Sequence, residues 1–484
     1  NSLPGGRFDL LMLPGGPLIP SVGVNFYRSM TIVPAVPAGD STFVPYVFAT
    51  NAPNDDVGHG THVTGIIAAA TGNALGVAGA APSSIIYPIK IGNRLAGSIL
   101  DSTIQRGILI AASNGCRVIN MSFGGTTVGN VVTQAILFAQ TRAVDTNVFP
   151  NVTFKGIVCV AAMGNTAAQT INYPAALPGV VAVGAHGPSG TLAGYSTTGP
   201  WITLVAPGGD GGAGWGGKAD NSGQIFSTYP TYNVAMGPPV IPKPTYTNYS
   251  YMSGTSMASP HVAAAAAMLL QKKPYLSQAQ VWAQLALFST HTAPINVVTS
   301  QTGATTQIPD TAFDSQYGYG YLNANSLVQA RQPALGKTTG IPHVFPVRPR
   351  NHITYTGTAI PITNAVATGL DNVDVIKGNR TNTFRVIVVD DRGELIPSAQ
   401  VTARFTLLSW GGSPLGFPTT NMSDTVLLDN GTVAQDDLLN QDAVYGCQIF
   451  FPGSLSNCIY EVRYLTTASG MSANTSRVVN ILVR

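Results

Sequence analysis

Charge is scarce in this chain of 484 residues. Lys and Arg number 24 and Asp and Glu 21, so 9% of positions are charged, against roughly 25% in ordinary soluble domains. That shortage excludes coiled coils, acidic tails and charge-rich disordered segments. The net charge of +3 is small for the length and no basic cluster accompanies it, which removes the electrostatic grounds for a nucleic-acid or anionic-lipid partner. Long apolar runs are also missing. The longest, such as residues 262–270, fall far short of the ~20 residues that span a bilayer, so no membrane span is expected.

Cysteine is limited to four residues, too few for a disulfide scaffold at this length. Cys447 and Cys458 bracket the turn-like stretch Phe451-Pro452-Gly453-Ser454, and this predicts a hairpin closed by a disulfide, hence an oxidising compartment. There is no initiator Met, basic n-region or apolar h-region at Asn1, so the sequence reads as the processed product of a precursor. Sequons at Asn120, Asn151, Asn248, Asn379, Asn421, Asn430 and Asn474 agree with secretion without establishing it.

What is present falls into two patterns. Between about Gly60 and Ala330, the short Val- and Ile-rich runs at 84–91, 117–121, 156–162 and 180–184 alternate with helix-like stretches at 98–113 and 129–142. Such runs, bounded by Gly, Asn or Pro, fit strands buried on both faces, and the alternation predicts an α/β unit with a parallel sheet flanked by helices. Residues 333–349 are rich in Pro and Gly without periodicity, as a linker is. Beyond them, strand-like runs at 384–389, 399–407, 444–451, 459–465 and 477–483 predict an all-β sandwich. The expected division is 1–332, a linker at 333–350, and 351–484.

Two segments carry chemistry. Asp56-Val57-Gly58-His59-Gly60-Thr61-His62-Val63 sets a histidine between glycines just before an apolar helix. Ser253-Gly254-Thr255-Ser256-Met257-Ala258-Ser259-Pro260-His261 sets a serine at the mouth of the helix running to Leu270. A helix N-terminus offers unsatisfied N–H groups and the positive end of the macrodipole, so a serine there is placed for developing negative charge. An isolated serine at such a position is ordinarily a plain N-cap. Both segments together, in this order, resemble the subtilisin-like serine proteases. Ile119-Asn120-Met121-Ser122-Phe123-Gly124-Gly125, Ala161-Ala162-Met163-Gly164-Asn165, Tyr173-Pro174-Ala175, Ala206-Pro207-Gly208 and Tyr317-Gly318-Tyr319-Gly320 extend the resemblance over about Val22 to Gln332.

The resemblance implies a secreted serine endopeptidase acting on protein or peptide substrates. Ser256 would be the nucleophile, His59 the general base and later acid, and Asn165 a donor to the oxyanion beside the Ser256 N–H. Ser122, Phe123, Gly124 and Gly164 would line a cleft that pairs with substrate backbone. Phe123 and Met163 point to an apolar preference. His62, His186 and His261 read as structural. Cys116 and Cys159 lie at or near strands that the family pairs side by side, either bridged or as buried thiols.

Family members carry a third residue, an aspartate in Asp-Ser/Thr-Gly, and neither form occurs here. Three sources stay open: Asp9, Asp40, or an aspartate outside this chain, with a cleaved N-terminal fragment of the same precursor as a partner in the last case. Genuine loss would make the chain a degenerate protease serving as an extracellular structural or binding glycoprotein. Asp55 and Asp56 match an acidic pair of structural type. Asn73-Ala74-Leu75-Gly76-Val77 resembles a Ca²⁺ loop of the family but lacks its upstream carboxylate, so it reads as a turn and no metal or other cofactor is assigned. Residues 386–397 resemble the hairpin of Ig-like and fibronectin-type modules, read as a structural spacer.

Overall fold

The computed structural model describes residues 8–13, 55, 57–92, 99–142, 156–210, 223–230, 248–290, 296–298, 305–307, 313–329, 341–347, 373–376, 378–391, 393–396, 398–410, 422–428, 444–452, 458–476 and 479–483. The first part of the chain runs β1 (Phe8–Leu13), α1 (His59–Ala68), β2 (Ile85–Lys90), α2 (Asp101–Ser113), β3 (Val118–Met121), α3 (Asn130–Arg142), β4 (Val158–Ala162), β5 (Val181–His186) and β6 (Leu204–Pro207). A two-stranded ribbon, β7 (Ile225–Thr228) and β8 (Tyr249–Met252), precedes α4 (Thr255–Lys272) and α5 (Gln278–Leu287). The short β9 (Asn296–Val298), β10 (Thr305–Gln307) and α6 (Ala324–Gln329) follow.

The central sheet has the order β2-β1-β3-β4-β5-β6, with β3 to β6 parallel. Strands β3 and β4 are buried along their whole length, which is why they read as unbroken apolar runs. Strand β1 lies between β2 and β3 and runs antiparallel to both. Asp9 sits inside β1, opposite Ile89. Helix α4 is buried along most of its length, and its Ala263–Ala267 stretch is in the core with the sheet residues Val160, Val183 and Leu204. Small side chains there let the helix axis approach the sheet closely. Ser277 and Gln280 form a reciprocal capping box that starts α5. The buried Arg117 donates to Pro274 O at 2.9 Å and Leu276 O at 2.7 Å, tying the α4–α5 connection to the start of β3.

The rest of the chain is all β: β11 (His343–Val347), β12 (Val373–Ile376), β13 (Arg380–Val389), β14 (Gln400–Trp410), β15 (Met422–Leu427), β16 (Val444–Phe451), β17 (Cys458–Thr467), β18 (Asn474–Thr475) and β19 (Val479–Val483). They form one sheet of order β11-β13-β16 and another of order β12-β19-β17-β14-β15, with β18 paired to β17.

Two sequence expectations are corrected here. The stretch 333–350, read as a linker, contributes β11, which pairs with β13. Cys447 and Cys458 do not close a hairpin: β16 and β17 belong to different sheets, and both thiols are free and buried. Cys116 and Cys159 are also free and buried. Burial pushes the Cys116, Cys159 and Cys447 thiols up to about 12 and Cys458 up to about 11, so none is a thiolate near neutral pH.

The three-stranded sheet is covered on both faces. Val344, Phe384, Val386, Val388 and Tyr445 point into the core shared with the five-stranded path. Phe345, Val347, Ile387 and Val389 point the other way, into the core containing Trp282, Leu285 and Tyr319. Phe345 meets Trp282 and Tyr319 edge-on, with centroids 6.0 and 5.3 Å apart. At the rim, Gln284 Nε2 donates to Gly393 O at 3.1 Å and Lys273 faces Glu394 at 3.6 Å.

Candidate active site

Helix α1 begins at His59, and the loop before it is built to stop the chain there. Gly58 has φ 84°, a conformation that favours glycine, and a Cβ at this position would fall 2.3 Å from the Tyr229 ring. Asp55 is buried and its carboxylate is fully engaged. Oδ1 accepts from the Val57 and Gly58 N–H groups at 3.0 and 2.8 Å, and Oδ2 from Thr61 N–H and Thr61 Oγ1, both at 2.8 Å. It therefore satisfies donors at the start of α1 and places negative charge at the positive end of the helix.

The ribbon β7–β8 grips the same helix. Ser227 Oγ donates to His62 O at 2.7 Å, Thr228 Oγ1 to Thr61 O at 2.8 Å, and Tyr229 OH to Val57 O at 3.2 Å. His62 shares its Nε2–H between Ile225 O and Ser250 O, each at 3.1 Å. Its Nδ1 is buried with no hydrogen-bond partner among the described residues. A second proton would have no acceptor, and burial holds this imidazole down at about 4. His261 donates from Nδ1 to Met257 O at 2.8 Å and is also held at about 4 by burial. His186 Nδ1 donates to Gly187 O at 2.9 Å, and burial lowers it as well.

Ser256 lies in the first turn of α4. Its hydroxyl donates to Ser122 O at 3.1 Å, while Ser122 Oγ donates to Ser256 O at 2.9 Å, so the end of β3 and the start of α4 are bonded in both directions. Behind them, Asn120 Nδ2 donates to Ser122 Oγ at 2.9 Å and Ser259 Oγ donates to Asn120 Oδ1 at 2.6 Å. Asn120 is fully buried. Asn120, one of the sequon positions, thus has its side-chain amide engaged inside the folded protein.

Asn165 follows β4. Its Oδ1 accepts from Thr255 N–H and Thr255 Oγ1, each at 2.9 Å, and Thr255 Oγ1 also accepts from Gly164 N–H at 3.1 Å. With the carbonyl so anchored, the amide group turns toward Gly254 and Ser256. A Cβ built on Gly254 would stand 3.3 Å from Asn165 Nδ2 and 3.7 Å from Ser256 N, so two donors border one space that only glycine leaves empty. Helices α1 and α4 meet through Val63, Ile66 and Met257, which form one buried cluster. Val63 is one turn beyond His59 and Met257 is next to Ser256, so the helix starts lie side by side. His59 Nδ1 is buried.

Of the cleft residues expected from sequence, Gly124 is exposed and Gly164 half-buried, at the adjoining ends of β3 and β4. Phe123 and Met163 belong to the buried core beneath the sheet, so they do not line the cleft with apolar surface, and the apolar preference read from them is withdrawn. Asp9 is carried in β1. Leu11 lies opposite Ile119, and continuing that register by two positions sets Asp9 level with Met121, at the end of β3 that leads to Ser122. Asp40 and Asp56 fall outside the described residues. In the loop 73–77, Asn73 Oδ1 accepts from Leu75 N at 3.1 Å, an Asx turn. Sequence reasoning missed the roles of Thr255, Asn120 and Ser259, although all three sit inside the motifs it used.

Comparison with known proteins places the chain. The profile of the Subtilase family, Peptidase_S8, matches residues 40–320. Subtilisin Savinase of Lederbergia lenta is 35% identical over 244 residues, covering 50% of this chain and 73% of that protein. Subtilisin DY of Bacillus licheniformis is 38% identical over 241 residues, covering 49% and 72%. Among solved structures, a protease from Pseudoalteromonas arctica PAMC 21717 aligns with 57% of this chain and 73% of its own at 30% identity and a TM-score of 0.44. The chain belongs to the subtilase family. No helix among the described residues is long and apolar enough to cross a membrane.

Proposed function

We propose that this chain is a secreted serine endopeptidase that cleaves peptide bonds through an acyl-enzyme. Ser256 Oγ attacks the substrate carbonyl carbon as His59 takes its proton. The oxyanion is held by Asn165 Nδ2 and the Ser256 N–H. The imidazolium then gives its proton to the departing amine, and a water activated by the neutral His59 releases the acid and restores Ser256. The Ser256 hydroxyl leaves Ser122 O by rotation about Cα–Cβ to engage His59. Substrate backbone lies along the edges that follow β3 and β4, so main-chain hydrogen bonds supply much of the binding.

The observation that carries this reading is the convergence of Asn165 Nδ2 and Ser256 N on the space beside Gly254. A plain N-cap serine has no use for a side-chain amide anchored by its carbonyl. The division into a catalytic part, 1–332, and a β-sandwich is part of the proposal; the sandwich takes in β11 ahead of 351–484 and docks on α5 through β11 and β13. The test is hydrolysis of a peptide substrate by the protein and its variants. Ser256→Ala is expected to lower kcat by roughly 10⁶ with the fold intact; an unchanged kcat would remove Ser256 from the reaction.

A further inference from the structure

Asn165 is anchored to the start of α4 through Thr255. Gly254, the residue beside which Asn165 Nδ2 and Ser256 N converge, is anchored from another quarter. Tyr195, half-buried and outside every motif that identified the site, packs against the core that contains α4, and its backbone and side chain reach opposite sides of that space.

On one side, the Tyr195 carbonyl accepts from Ala167 N–H at 2.9 Å, two residues after Asn165. Close by, Thr197 N–H donates to Gly164 O at 3.0 Å and Thr197 Oγ1 accepts from Thr166 N–H at 3.1 Å. The loop carrying Asn165 is therefore tied to this segment both before and after the asparagine. On the other side, the Tyr195 hydroxyl proton lies between Gly208 O at 2.8 Å and Gly209 O at 2.7 Å. Gly208 O also accepts from Gly254 N–H at 2.9 Å, while Gly254 O accepts from Met257 N–H at 2.9 Å. Gly254 is thus gripped between the 208–209 loop and the first turn of α4.

Two successive carbonyls aimed at one point repel each other, and the φ of 82° at Gly209 is part of what lets them converge. The phenol proton between them offsets that repulsion. Burial raises the Tyr195 pKa, the neighbouring Gly254 N–H works against the rise and Asp210 adds to it, so the group keeps its proton and stays a donor. The packing leaves no slack: a Cβ at Gly208 would stand 2.5 Å from Ala185 Cβ, 2.8 Å from Gly254 O and 3.1 Å from the Tyr195 hydroxyl.

We infer that Tyr195 is a positioning residue for the oxyanion: its carbonyl steadies the loop of one donor and its hydroxyl clamps the loop against which Gly254 and the other donor are set. The inference rests on the endopeptidase reading and adds to it a residue that acts through Gly254. Donor placement is exacting, because a tetrahedral oxygen needs both donors within about 2.7–3.1 Å and a misplacement of about 1 Å can cost about 10² in rate. Loss of the clamp loosens the space without removing either donor, so its effect is smaller than that of losing Asn165.

The test is Tyr195→Phe, which keeps the ring and removes the clamp. On a peptide p-nitroanilide, kcat should fall about tenfold with KM little changed. A peptide aldehyde of the same sequence adds to Ser256 Oγ to give a hemiacetal whose oxygen occupies the oxyanion position. Its affinity should fall by a similar factor, while that of the corresponding peptide alcohol, which forms no adduct, should hold. In an Asn165→Ala background, Tyr195→Phe should have almost no further effect on kcat. An unchanged ratio of aldehyde to alcohol affinity overturns the inference, whatever happens to the urea midpoint, as do additive losses in the double variant. A parent protein that neither cleaves the peptide nor binds the aldehyde would instead overturn the endopeptidase reading, and this inference with it.

Discussion

Asn165 owes its orientation to Thr255. Two donors from that residue occupy the amide carbonyl, which leaves the amide nitrogen beside Gly254; in the proposed reaction it would be oriented before substrate arrives, with no reorganisation needed in the transition state. Asn165→Ala should lower kcat by about 10² to 10³ with KM little changed, the range for loss of one such donor in this family. Thr255→Val keeps the shape and removes one anchoring bond; it should lower kcat by about tenfold and have almost no further effect in an Asn165→Ala background. Steady-state kinetics of the two variants and their combination check this, and additive losses would mean that Thr255 acts elsewhere. The motifs that hold His59, Asn165 and Ser256 stood out in the sequence because the chemistry proposed for them fixes residue type and local spacing. The parts played by Thr255 and Ser259 did not, because they depend on Asn165 and Asn120, which the fold brings to them from far along the chain.

The histidines give a residue-scale prediction of opposite character. His62 and His261 are held near 4, below the 6.5 of an exposed imidazole. Between these values the unfolded chain binds more protons than the folded one, so stability is fully present above about pH 6.5 and is withdrawn as pH falls toward 4. Each histidine withdraws on the order of 3 kcal/mol over that window. Urea unfolding at pH 7 and pH 4.5 should show the midpoint falling with acid. His62→Gln should flatten the dependence, and an equally steep one would place the acid sensitivity elsewhere.

At the scale of elements, α1 is fixed by what precedes it and what grips its flank. Asp55 meets three backbone N–H groups and one hydroxyl. Asp55→Ala should cost about 2 kcal/mol of stability and lower kcat through displacement of His59, while Asp55→Asn, which keeps the oxygen acceptor at Oδ1, should restore most of both. Strand β1 raises the question of what orients the His59 ring. Continuing its register with β3 sets Asp9 level with Met121, at the end of β3 that leads to Ser122, and α1 packs against β1. We therefore expect Asp9→Asn to lower kcat by about 10⁴, as loss of the orienting carboxylate does; an unaltered kcat would assign that role to another group. Strands β3 to β5 were readable because burial on both faces leaves unbroken apolar runs. Strand β1 was not read as a strand, since Asp9 interrupts its apolar run and only its pairing with β2 and β3 makes it part of the sheet. The disulfide expected between Cys447 and Cys458 failed for a related reason. A Pro-Gly turn signals a reversal but does not say whether the chain returns in the same sheet or crosses to the next.

The molecule as a whole is joined more tightly than a protease with an appended spacer. The run Val386-Ile387-Val388-Val389 sends alternate side chains into two different cores. In a free-standing sandwich the outward residues of that strand would be polar. The continuous apolar run was visible in the sequence, but its partner was not, because Trp282, Leu285 and Tyr319 come from far upstream. Phe345 is fully buried against Trp282 and Tyr319, so Phe345→Ala should cost about 3 to 5 kcal/mol. It should also lower the urea midpoint at which peptide hydrolysis is lost. An unshifted midpoint for activity would mean that the two parts unfold independently.

The central claim is that Ser256 is an activated nucleophile, and covalent labelling reads it directly. The folded protein is treated with a fluorophosphonate and digested, and the adduct is located by mass spectrometry. The account predicts one adduct per chain, on Ser256, that fails to form in His59→Ala or after prior denaturation. A folded protein whose Ser256 stays unmodified at high reagent concentration would contradict it.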